Sequence, residues 1–198
     1  MKTLFTTFYY DYNDTLYYKK SAEALKHTIE KLGGHILIHA PKLNGTYNDN
    51  CLLKPSIILE TLKTQKRNII WIDADCVVND LPIEMDNINY DMAAVTRIHD
   101  MKTPHSALIF FKYSDEVISF VNDWMLKCND KQQEAREGIY KGGDHHLLIE
   151  TLRERKDIKC AMLQPTVACS INKNVKVFIN ISPGGQQGFL YERINYNA

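Results

Sequence analysis

Ile69-Ile70-Trp71-Ile72-Asp73-Ala74-Asp75 is the stretch that decides the fold class of this chain. Its unbroken apolar run reads as a strand covered on both faces, because a strand with one wet face alternates. The strand is predicted over residues 68–74 and delivers two acids at its carboxyl end, with only an alanine between them. In open α/β sheets, ligands bind outside the carboxyl ends of the strands. If the extended conformation persists through Asp75, both carboxylates share one side. Such close carboxylates repel unless a cation or hydrogen bonds offset their charge. A hard divalent ion does this and can also hold a diphosphate. Ala74 is small enough to let a ligand come close. Read without that setting, Asp73 and Asp75 are ordinary turn formers.

Working outward, strand-like and helix-like segments alternate. Residues 3–8 read as a first strand, followed by a helix that Asp14 can cap and whose Leu25, Ile29 and Leu32 recur at helical spacing. Gly33-Gly34 stops that helix, and residues 35–39 form a second strand. Pro55 suits the first turn of the next helix, which runs through Ile58, Leu59 and Leu62. Beyond the acids, residues 92–98 and 106–111 read as strands. Ser114 caps an amphipathic helix carrying Val117, Ile118, Val121, Trp124 and Met125. Gly142-Gly143-Asp144 opens another helix, and residues 160–163 and 175–181 read as late strands before a polar tail that starts at Pro183. The pattern predicts one domain over residues 1–198: an α/β fold with an open, mostly parallel twisted sheet between helices.

Composition narrows the function. Lys plus Arg and Asp plus Glu number 24 each, so the chain carries no net charge. It lacks the positive field of a non-specific nucleic-acid binder, which disfavours a nucleic-acid acceptor without excluding a local basic groove. No run approaches the roughly 20 apolar residues that span a bilayer. The first eight residues read as a strand, not as a secretory signal. The five cysteines are odd in number and scattered, which fits buried thiols in a reducing cytoplasm better than a disulfide framework.

The stretch from Lys54-Pro55-Ser56-Ile57-Ile58-Leu59-Glu60 through Trp71-Ile72-Asp73-Ala74-Asp75 resembles the small nucleotide-diphospho-sugar transferases of the GT-A fold. These carry a lysine-proline helix, a hydrophobic strand and an Asp-x-Asp. The similarity extends more loosely to residues 105–111 and to Gly143-Asp144-His145-His146-Leu147-Leu148. The resemblance implies a Mn²⁺- or Mg²⁺-dependent glycosyltransferase that uses a nucleotide-diphosphate sugar, with a UDP-sugar favoured. It implies that Asp75 binds the metal directly and that Asp73 holds the ribose or a metal-bound water. Asp144 would face the reacting sugar. The segment Thr6-Thr7-Phe8-Tyr9-Tyr10 would line the nucleobase pocket, and Ser106 would lie on the strand behind the sugar. Many relatives add a late histidine as a metal ligand. Here no histidine follows His146, and Asn180 stands about where it would be expected.

A leaving nucleoside diphosphate gains negative charge, which a bridging metal stabilises and a cation can assist. Lys54, Arg97 and Lys141 are candidates, although each also reads as a solvated surface charge. Asp144 fits either a base for the acceptor hydroxyl or a helix N-cap. Tyr9 and Tyr10 are candidates to stack on a base, whereas Tyr17 and Tyr18 read as helix-face packing. His145 and His146 point about 100° apart on a helix, a poor chelating pair that reads as exposed. Two rival functions remain. In a haloacid-dehalogenase-like phosphatase Asp73 is the nucleophile and Asp75 the acid/base, but that motif belongs on a first strand. A non-catalytic sugar-nucleotide binding module would bind the donor without turnover.

Overall fold

The computed structural model describes residues 1–10, 16–41, 45–97, 100–170 and 172–179. Asp14, Asn180 and the tail from Pro183 lie outside the described residues. Among the described residues, six strands form the main sheet: β1 (Leu4–Phe8), β2 (Ile36–His39), β3 (Ile69–Ile72), β5 (Met92–Arg97), β6 (Asp100–Phe111) and β7 (Cys160–Met162). Their spatial order is β2-β1-β3-β6-β5-β7. β1 runs parallel to β2 and β3, β5 runs parallel to β7, and β6 is antiparallel to both β3 and β5. Within this sheet β6 alone runs against the others, so the expected mostly parallel α/β architecture is present.

Among the described residues, five α-helices accompany the sheet: α1 (Tyr17–Lys31), α2 (Tyr47–Cys51), α3 (Lys54–Gln65), α4 (Asp115–Arg136) and α5 (Gly143–Glu154). The apolar run of β3 is divided between two cores. Ile69 and Trp71 pack with Ile58 and Leu62 of α3 and with Phe120 and Trp124 of α4. Ile70 and Ile72 pack on the other face with Leu25 and Ile29 of α1. Alternate side chains thus enter opposite layers, and each fully buried large side chain contributes about 1.5–3 kcal/mol. Ser114 accepts the Val117 amide at 3.3 Å and starts α4 as read from the sequence, a cap of about 1 kcal/mol.

Several boundaries differ from the sequence reading. β3 ends at Ile72 because the Cys76 amide closes a turn on the Asp73 carbonyl at 3.0 Å, although the Asp73 amide still donates across to the Ala107 carbonyl of β6 at 2.9 Å. Asp73 and Asp75 therefore sit on a turn and not on a continued strand. β6 starts at Asp100, ahead of the expected residue 106, because it pairs with β5 as a hairpin that continues past the end of β3. α4 runs on to Arg136, whose guanidinium Nε lies 3.0 Å from Asp49 Oδ2 on α2. A second sheet, ordered β4-β9-β8, consists of the two-residue strands β4 (Val77–Val78), β8 (Ala168–Cys169) and β9 (Val177–Phe178). Pairing of β4 with β9 holds the chain just after the acidic turn.

Candidate active site at the carboxyl end of the sheet

The site is organised by a buried cation. Lys54 opens α3, whose N-terminal end lies over the carboxyl end of β3, and it is only 5% exposed. Its Nζ lies 3.0 Å from Asp73 Oδ1 and 3.1 Å from Asp144 Oδ2. It also donates to the Ser106 carbonyl at 3.2 Å and reaches the Ser106 hydroxyl at 3.1 Å. The Trp71 indole N–H donates to the same Asp73 oxygen at 2.8 Å, and its ring centroid is 5.5 Å from Nζ. One ammonium thus ties together α3, the end of β3, β6 and the start of α5. The solvated surface charge read for Lys54 is corrected: a buried lysine persists because acids and oxygens surround it.

Electrostatics follow from this packing. Burial disfavours the Lys54 ammonium, but Asp144 and then Asp73 outweigh it and hold its pKa above the ordinary value. Burial pushes the Asp144 carboxyl up, yet the Lys54 ammonium and then His145 bring it below the usual range. Both groups are charged at neutral pH. One cation between two carboxylates leaves a net negative charge at the mouth of the sheet. Beside them the Cys51 thiol is pushed up to about 12 by burial and by Asp144, so it is not a nucleophile at neutral pH. None of the five cysteines forms a disulfide.

Asp144 does not cap α5. Gly142 holds the N-cap position, and the Asp144 carboxylate turns inward from the first turn, while the Trp124 indole donates to the Asp144 carbonyl at 3.0 Å. Asp73 and Asp75 are both half-exposed on the turn, with Ala74 buried between them. The Lys54 and Trp71 contacts of Asp73 both fall on Oδ1. Among the described residues no group of three or more His, Cys, Asp or Glu side chains is arranged to hold a metal ion. A pair of partly exposed carboxylates still fits Mn²⁺ or Mg²⁺, since such ions keep several waters and take other oxygens from substrate phosphates.

The remaining candidates separate clearly. Tyr9 and Tyr10 are half-exposed just past β1, where the Tyr9 amide bonds to the His39 carbonyl at 3.2 Å. Thr6 is 0% exposed and its hydroxyl lies 3.5 Å from that of Thr61, so it serves the core and cannot line a nucleobase pocket. Ser106 is 3% exposed on β6, and its carbonyl and hydroxyl hold Lys54. Arg97 ends β5 in the hairpin beside the site. Tyr17 opens α1 near the acidic turn; burial and then the Asp75 charge raise its pKa. Sequence reasoning missed it, although a residue opening the first helix is expected at the carboxyl end of the sheet. The histidines are not simply exposed: His145 is half-buried, its ring centroid 5.9 Å from His105 on β6 and 4.1 Å from His146.

No family model matches the chain, and no curated protein matches it. Solved structures do. A glycosyltransferase involved in the glycosylation of the major capsid of PBCV-1 is similar with a TM-score of 0.69 at 13% identity, over 96% of this chain and 99% of that one. The glycosyltransferase GlyE of Streptococcus pneumoniae TIGR4 is similar with a TM-score of 0.60 at 11% identity, over 92% of this chain. The match spans 56% of the GlyE chain. Its apo form gives a TM-score of 0.55 at 12% identity. The fold is therefore that of GT-A-like glycosyltransferases, as the stretch from Lys54 to Asp75 led one to expect. Among the described residues no helix is long and apolar enough to cross a membrane.

Proposed function

We propose that this chain is a metal-dependent glycosyltransferase that moves a sugar from a nucleotide-diphosphate donor, with a UDP-sugar favoured, to an acceptor hydroxyl. The observation that carries the reading is the buried Lys54 bridging Asp73 of the acidic turn to Asp144 of α5, at the end of the sheet where open α/β folds bind ligands. Asp75, with Asp73, would hold Mn²⁺ or Mg²⁺. The ion would supply positive charge to the leaving diphosphate. Lys54 fixes one oxygen of Asp73 and so leaves the other side of that carboxylate for the metal or the ribose. Asp144, held ionised by Lys54, supplies negative charge near the anomeric centre. Tyr9 and Tyr10 offer ring faces for the nucleobase.

Many transferases pass the sugar slowly to water when no acceptor is present. Incubation with nucleotide sugars and Mn²⁺ should therefore release a nucleoside diphosphate, measured by coupled assay. Nucleotide binding without release would identify a binding module instead. Phosphate release from simple monoesters, with no nucleotide sugar required, would identify the phosphatase.

A further inference from the structure

The last torsion of an aspartate is soft, so a carboxylate that receives a ligand needs neighbours that aim its oxygens. The Asp73 side chain is 31% exposed, which leaves part of it open to a ligand. Lys54 Nζ holds Oδ1 at 3.0 Å, but its three protons face four oxygens. These are Asp73 Oδ1, Asp144 Oδ2, the Ser106 carbonyl and the Ser106 hydroxyl, all within 3.2 Å. Charge draws Asp73 in, yet the aim of the ammonium is shared. The second contact serves Asp73 alone. Trp71 lies two residues earlier, and its single indole N–H donates to Oδ1 at 2.8 Å. The ring is 1% exposed, packs on Phe8 with centroids 5.6 Å apart, and has Lys54 Nζ 5.5 Å from its centroid. Packing fixes a ring buried in this way, so its N–H points in one direction. An oxygen that accepts two donors has used both lone pairs, which turns any further ligand toward Oδ2.

We propose that Trp71 is a positioning residue for the donor: its indole N–H locks Asp73 with Oδ1 turned into the protein and Oδ2 presented to the metal-bound nucleotide. This rests on the glycosyl-transfer reading. The orientation of Asp73 is the same before and during transfer, so the device serves binding of the donor and not the chemical step. Its loss raises KM and leaves kcat near its former value.

The test removes the N–H and keeps the shape of the ring. Trp71 is replaced, by nonsense suppression, with benzothienylalanine, in which sulfur stands where the indole nitrogen was, and Trp71→Phe is made beside it. The dissociation constant of Mn²⁺ in the presence of UDP, read from the electron paramagnetic resonance of the free ion, should rise about 10–100-fold in both. KM for a UDP-sugar that the unaltered chain hydrolyses should rise with it, while kcat changes by less than about threefold. The Tm of the benzothienylalanine chain should stay within about 5 °C of the unaltered one, so that loss of the fold does not account for the change. In that chain, Mn²⁺ affinity within about threefold of the original, or a fall in kcat at unchanged KM, overturns the proposal while leaving glycosyl transfer standing. If the unaltered chain neither binds Mn²⁺ with UDP nor releases UDP from a UDP-sugar, the glycosyl-transfer reading falls and this proposal falls with it.

Discussion

Lys54→Met is expected to cost about 3–5 kcal/mol of stability and to abolish turnover. The loss comes less from the ammonium itself than from what it leaves behind. Asp144 is 4% exposed and loses its 3.1 Å cation, and a charge buried without a partner is strongly destabilising. Urea unfolding of the variant measures the effect. The double variant Lys54→Met/Asp144→Leu separates the causes. It removes both charges, so stability should recover by at least half, whereas activity should not recover. A Lys54→Met chain as stable as the unaltered protein would mean that the buried bridge contributes nothing. The pH dependence has a definite sign. The raised Lys54 pKa contributes stability that is full below its ordinary 10.5 and lost as pH rises through the higher folded value. The lowered Asp144 pKa contributes stability present above its ordinary 3.8 and lost as pH falls through the folded value. Between about pH 5 and 9 the network should be insensitive to pH.

Asp75→Asn is expected to separate folding from function. Asp75 is half-exposed on a turn, so neutralising it should change stability by no more than about 0.5 kcal/mol. Stabilisation of the leaving diphosphate by a metal is worth several kcal/mol, which converts to roughly 10²–10⁴ in rate. Metal-dependent release of nucleoside diphosphate should fall by that factor while the unfolding midpoint holds. Undiminished turnover by the variant would remove the metal role of Asp75.

Much of this molecule is legible in its sequence, and the physical reasons for the rest are specific. The run Ile69-Ile70-Trp71-Ile72 announces a strand buried on both faces, and both cores confirm it. The acids at its end mark the place of the candidate site. The burial of Lys54 is not legible, because a lysine before a proline looks like any helix start and its partners Asp73 and Asp144 are distant in the chain. Asp144 imitates an N-cap because it follows two glycines, but the first helical turn aims its carboxylate at Lys54. Thr6 shows a different limit. Alternation along a strand tells which face a residue takes but not how deep in the layer it lies. The short strands of the second sheet carry too few residues to show a period. The last turns of α4 are polar and exposed over much of their length, so periodicity alone does not mark where the helix ends; Arg136 reaches Asp49 across the fold.

The measurement that bears most directly on the donor site is a thermal-shift screen of UDP, GDP, CDP and dTDP, each with and without Mn²⁺, on the unaltered chain and on Asp75→Asn. A ligand at 100 times its dissociation constant stabilises by about 2.7 kcal/mol, or roughly 5–10 °C for a domain of this size. A rise of that order with UDP that needs both Mn²⁺ and Asp75 is the predicted result. No rise with any nucleotide, or a rise indifferent to both the metal and Asp75, would contradict a metal-held diphosphate at the Asp73–Asp75 turn.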